Sequence, residues 1–179
     1  MDMKKLLLTL FLGGFLMTTA EAKTLVAYFS ATGNTRKLAT TTAKAIGAEL
    51  FEIVPAEEYT DADLDWNDKK SRSTVECNNP SARPAIRNKT DISAYDTVIV
   101  AFPIWWYNAP KIIYTFMESN DFSNKKIVLL CTSGGSGLGR TTDDLKKITS
   151  SGAQFLGGKK FSSGAGESEI KKYFDSLKK

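Results

Sequence analysis

Between residues 23 and 179 the chain alternates short apolar runs with stretches whose apolar positions recur at helical spacing. The runs lie at 25–29, 49–54, 97–102, 126–131 and 153–156, the last extending towards Phe161. Helix patterns occupy 35–46, 110–118, 142–149 and 167–177. Runs one, three and four are apolar almost throughout, the mark of strands covered on both faces. Strand and helix in turn predict an α/β domain, a doubly wound parallel sheet of five strands with helices on both faces.

The stretch 55–95 breaks this rhythm. Thr60-Asp61-Ala62-Asp63 has the form of a helix start. Only Leu64, Trp66 and Val75 follow as apolar anchors, so a polar surface connection is expected. Asp61, Asp63 and Asp65 alternate as in a calcium loop, but Trp66 stands where that loop requires glycine and Arg72 where it requires glutamate.

The first 22 residues have a different character. Lys4 and Lys5, an apolar stretch from Leu6 to Met17 and the small-x-small step Ala20-Glu21-Ala22 predict a signal peptide over 1–22 and a mature domain over 23–179. The apolar stretch is well short of the ~20 residues that cross a bilayer. Export, with a periplasmic location and no membrane insertion after cleavage, is the expectation.

Charge narrows the partners. The net charge is +4, and residues 1–22 carry as many acidic as basic side chains, so it survives their removal. The basic residues are scattered and accompany no binding motif, which argues against nucleic acid. The chain has no histidine and two cysteines, which removes the usual general base and leaves no zinc ligand set. No metal and no catalytic residue are assigned. Cys131 closes an apolar run and is expected to be buried, whereas Cys77 lies in the polar connection; a disulfide stays open as the lesser reading.

In an open parallel sheet, ligands bind beyond the carboxyl ends of the strands. Three loops therefore belong together: SATGNT after the first run, FPIWWYNAP after the third and TSGGSGLGR after the fourth. The first offers the hydroxyls of Ser30, Thr32 and Thr35, the amide of Asn34 and a flexible Gly33 at the start of a helix, a corner that suits a phosphate without a counter-charge. The second sets Trp105, Trp106 and Tyr107 in a row. If extended, they cannot all enter one core, so at least one ring faces the loop edge while one tryptophan packs beneath the following helix. The third combines glycines with hydroxyls, letting backbone amides approach a ligand edge. Its Gly134-x-x-x-x-Gly139-Arg140-Thr141 nearly matches a nucleotide phosphate loop, but arginine replaces the required lysine, so ATP and GTP are rejected. A flat heterocycle with one phosphate fits all three loops, and FMN meets that description.

With these motifs in order, the chain resembles the flavodoxin family, and in particular its exported bacterial members. The matching residues are Ser30-Ala31-Thr32-Gly33-Asn34-Thr35, FPIWW with Pro110, and CTSGGSG, with Ala82-Arg83-Pro84-Ala85-Ile86 as a further likeness. The resemblance implies strand order 2-1-3-4-5, one non-covalent FMN and electron transfer. It makes Ser30, Ala31, Thr32, Gly33, Asn34 and Thr35 the phosphate loop. Pro103, Ile104, Trp105, Trp106 and Tyr107 would line the isoalloxazine, and Thr132, Ser133, Gly134 and Gly135 would meet its polar edge. Two departures stand out: familiar flavodoxins are acidic, whereas this chain has a pI near 9.0, and Tyr107-Asn108 occupies a place where many relatives carry glycine. The expected activity is that of a monomeric low-potential carrier serving redox partner proteins. The alternative is an FMN-dependent NAD(P)H oxidoreductase acting on quinones, nitro compounds or metal oxyanions.

Overall fold

The computed structural model describes residues 22–178; residues 1–21, which carry most of the signal-peptide reading, lie outside that range. The chain begins with β1 (Thr24–Tyr28), α1 (Asn34–Ile46), β2 (Glu49–Glu52) and α2 (Arg72–Asn78). It continues through β3 (Thr97–Pro103), α3 (Lys111–Glu118), β4 (Lys126–Thr132), α4 (Thr141–Ile148), β5 (Gln154–Lys160) and α5 (Glu167–Ser176). All five strands are parallel, in the order β2-β1-β3-β4-β5. Fold class and strand order are as expected.

Side chains alternate across the sheet and build one core on each face. Val98, Val100 and Phe102 of β3 meet Ile112, Ile113, Phe116 and Met117 of α3 and Leu145 of α4. Ile99 and Ala101 point the other way, to Leu38 and Ala39 of α1 and Ile170 of α5. Because β1, β3 and β4 are covered on both sides, their carboxyl ends come to one edge with the backbone beneath them held rigid. Both cysteines are free thiols, and Cys131 is buried as expected.

The long connection departs from its sequence reading in one respect. The Thr60 start does close a capping pair, with Thr60 N–H donating to Asp63 Oδ2 at 2.9 Å and Asp63 N–H to Thr60 Oγ1 at 3.2 Å, yet the chain only turns there. The helix forms later, as α2, where Ser71 caps the amide of Thr74. Its buried positions are Ser73 and Thr74, while Val75 is exposed, so no apolar period announces it. The Ala82–Ile86 segment is fastened to the domain: Arg83 pairs with Glu118, Thr115 donates to Pro84 O at 2.9 Å, and Ile86 bridges Pro55.

Candidate functional site

The first corner follows from its residues. β1 runs into α1 through Ser30-Ala31-Thr32-Gly33, and Gly33 takes φ 83°, a left-handed value that glycine adopts without a Cβ penalty. No side chain caps α1, so its leading N–H groups point into the corner unanswered. Ser30 Oγ is buried and has no hydrogen-bond partner among the described residues. Thr35 and Thr132 share a buried hydroxyl hydrogen bond of 2.8 Å, which ties the first loop to the end of β4. Asn34 Nδ2 donates to Thr32 Oγ1 at 3.3 Å.

The second corner is not extended, contrary to expectation. Trp105 N–H donates to Asn108 O and Asn108 N–H to Trp105 O, each at 2.9 Å, closing a two-residue hairpin. Trp106 and Tyr107 at its tip have φ 51° and 62°. Such a turn normally takes Asn-Gly, because both tip residues are left-handed. A non-glycine residue there costs roughly 1 kcal/mol or more. Asn108 holds the turn in place: its Oδ1 accepts from Ala109 N–H and the Thr141 hydroxyl, and its Nδ2 donates to Asp144. Gly139 lies so close that a Cβ would sit 3.3 Å from Tyr107 O.

This geometry sorts the aromatic rings. Trp105 turns inward, edge-on to Phe29 at 5.5 Å and to Tyr59 at 5.2 Å, rather than beneath α3 as expected. Trp106 is 41% exposed and Tyr107 77%. Tyr59 is itself braced from α2, donating to Glu76 while Arg72 lies 4.1 Å over its ring; burial and then Glu76 push its phenol well above the ordinary range.

Between the corners lies a cleft in two adjoining lobes of about 500 and 490 Å³ that share Thr32, Pro103, Ile104 and Trp105. Ser30, Ala31, Thr35, Trp106 and Tyr107 line the first lobe; Asn34, Thr132, Ser133 and Gly134 line the second. Gly33 and Gly135 line neither lobe: Gly33 starts α1, and Gly135 O accepts a 2.8 Å bond from Lys160.

Several lining residues escaped the sequence. Leu64, Trp66 and Ser73 reach the first lobe from the long connection, together with Ser136, and no local pattern joins them to the strand ends. Lys160 and Phe161 enter the second lobe from the end of β5, where the strand-end rule would have found them had it been applied to the fifth run. The first loop itself brings neutral donors, and Lys160 adds a cation nearby.

An α/β sheet wound in this order, with its cleft at the strand ends, defines the flavodoxin-like class. The Flavodoxin family profile matches residues 23–177. A candidate flavoprotein of Bacteroides eggerthii is 42% identical, with a TM-score of 0.81 over 88% of this chain and 99% of its own. A second, from Bacteroides uniformis, is 40% identical, with a TM-score of 0.79 over 86% and 98%. A flavoprotein of Lactobacillus acidophilus, solved in complex with FMN, shares the fold at 21% identity and a TM-score of 0.65, over 88% and 99%. No match is found among curated proteins. The chain belongs to the flavodoxin family. The family implies FMN, and the residues fit it: an orphaned buried hydroxyl, an uncapped helix start and aromatic walls provide for a phosphate and a flat ring.

Proposed function

We propose that the chain is an FMN-binding electron-transfer protein. The observation that carries this reading is Ser30 Oγ, buried without a partner at the uncapped start of α1 and beside the cleft. A buried hydroxyl left unpaired costs about 1–3 kcal/mol, which a phosphate oxygen accepting its hydrogen bond removes. Ser30, Thr32, Asn34 and Thr35 hold the phosphate with the leading N–H groups of α1, while Ala31 and Gly33 let the backbone close around it. Pro103, Ile104 and the Trp105–Tyr107 turn wall the ring and keep water off it. Thr132, Ser133, Gly134 and Gly135 offer hydroxyls and amides to its polar edge. FMN, once bound, supplies one- and two-electron transfer.

The first loop answers the phosphate with dipoles rather than cations, and the apolar walls screen poorly, so the site resists further negative charge near that phosphate. Lys160 offsets part of this effect from the second lobe. The balance supports a low-potential carrier that passes electrons to redox partner proteins. An FMN-dependent NAD(P)H oxidoreductase acting on quinones, nitro compounds or metal oxyanions is the second reading. It draws support from the open rim, where Trp66 is 71% exposed.

The visible absorption spectrum of the purified protein tests the first step. A yellow protein, or a colourless one that takes up FMN in equal amount, supports the reading; refusal of FMN at any excess sinks it. NADH or NADPH then separates the roles. Slow bleaching without turnover supports the carrier, and rapid bleaching with quinone turnover supports the reductase.

A further inference from the structure

On the far side of Trp106 lies a second cavity of about 460 Å³, which shares only that residue with the cleft described above. Its floor carries Lys111, the first residue of α3. Lys111 is 8% exposed, and its ammonium sits 4.4 Å from the centre of the Tyr114 ring, with no hydrogen bond or ion pair among the described residues.

The placement is unfavourable twice over. A buried cation needs a counter-charge, and a lysine at the start of a helix faces the positive end of the helix dipole. Within α3 only the face of the Tyr114 ring answers it, since the first turn holds no acidic residue and no side chain among the described residues caps the helix. The other charges around the cavity are already committed. Arg83 is paired with Glu118, and Asp144 is shared by Arg140 and Lys147, each at 3.3 Å. Cys77 lines the same space, but burial pushes its thiol up to about 12, so it stays neutral and offers no negative charge.

We infer that this cavity binds a small ligand bearing an oxyanion group, a phosphate or a carboxylate, against the Lys111 ammonium, with the exposed Arg140 guanidinium, which meets Asp144 through Nε, lending its remaining N–H groups. An anion there answers both the buried charge and the positive end of the α3 dipole at once. The site is independent of FMN, although Trp106 lines both spaces and a ligand here touches the wall of the flavin cleft.

Calorimetric titration of the FMN-loaded chain with inorganic phosphate and with succinate, at low salt, tests the inference. With FMN in place, the first corner is filled and cannot take the probe. Binding of either probe with a Kd of about 1 mM or tighter is expected; phosphate alone would point to a phosphoryl ligand and succinate alone to a carboxylate. Lys111→Met should weaken it about tenfold or more, and Arg140→Gln about threefold. Phosphate should also raise the melting temperature of the wild type and not that of Lys111→Met. Absence of binding by both probes overturns the site, as does equal affinity in Lys111→Met. If that variant does not fold, equal affinity in Arg140→Gln does the same. Should the chain take no FMN, titration of Ser30→Ala beside Lys111→Met separates the two anion sites. Binding that follows Lys111 supports the inference, and binding that follows Ser30 defeats it.

Discussion

The two corners of the cleft reach left-handed backbone by opposite means. At the first, Gly33 takes φ 83° and a Cβ there would meet nothing within 4 Å. At the second, Trp106 and Tyr107 take φ 51° and 62° with full side chains. Glycine makes the first turn cheap, so its side-chain chemistry is left to Ser30, Thr32 and Thr35. The second turn accepts strain and gains two rings at its tip, with Asn108, Thr141, Asp144 and the close approach of Gly139 keeping it in place. Strain of this kind persists only where the surroundings over-determine it.

The comparison can be broken most severely through Trp105, which anchors the second corner. Trp105→Ala removes a ring packed on Phe29 and Tyr59 and should cost about 3 kcal/mol of stability in urea unfolding; a loss near zero would mean the turn stands without its anchor. Thr35→Val leaves Thr132 Oγ1 without its buried partner and removes a donor from the first corner. FMN affinity should fall at least about tenfold by titration, or about 1.4 kcal/mol.

Two swaps then test the opposite means directly. Tyr107→Gly should raise the stability of the FMN-free protein by about 1 kcal/mol, because the residue sits at φ 62° with its ring in solvent. Gly33→Ala should lower it by about 1 kcal/mol. If both substitutions shift stability in the same direction, backbone strain does not distinguish the corners. The smallest effect concerns the thiols. Burial raises Cys131 to about 11 and Cys77 to about 12. At pH 8 the more acidic of them is ionised to about one part in a thousand, so neither should react quickly with a disulfide reagent before the chain unfolds.

Much of the fold was legible because the pattern and the packing coincide. The runs that became β1, β3 and β4 are apolar where the sheet is covered twice, and α1 and α3 carry their apolar residues on one face. α2 was missed for a physical reason: its buried side chains are hydroxyls and its valine faces water. In the cleft, most residues of the three loops line the cavity, because strand ends in this winding must meet. The hairpin at Trp105–Asn108 was hidden, since sequence signals that turn with Asn-Gly and here it reads Trp-Tyr. Leu64, Trp66 and Ser73 were out of reach because only the tertiary path of the long connection brings them to the rim.

The Thr35–Thr132 hydroxyl pair joins positions 97 residues apart. Strand β3 lies between β1, which leads into α1 and Thr35, and β4, which ends at Thr132, so this link cannot close until the middle of the sheet has assembled. On the proposed reading, a partly folded chain thus has its phosphate loop as sequence but not as a receptor. Acquisition of FMN becomes a late event, following collapse of the central sheet rather than guiding it.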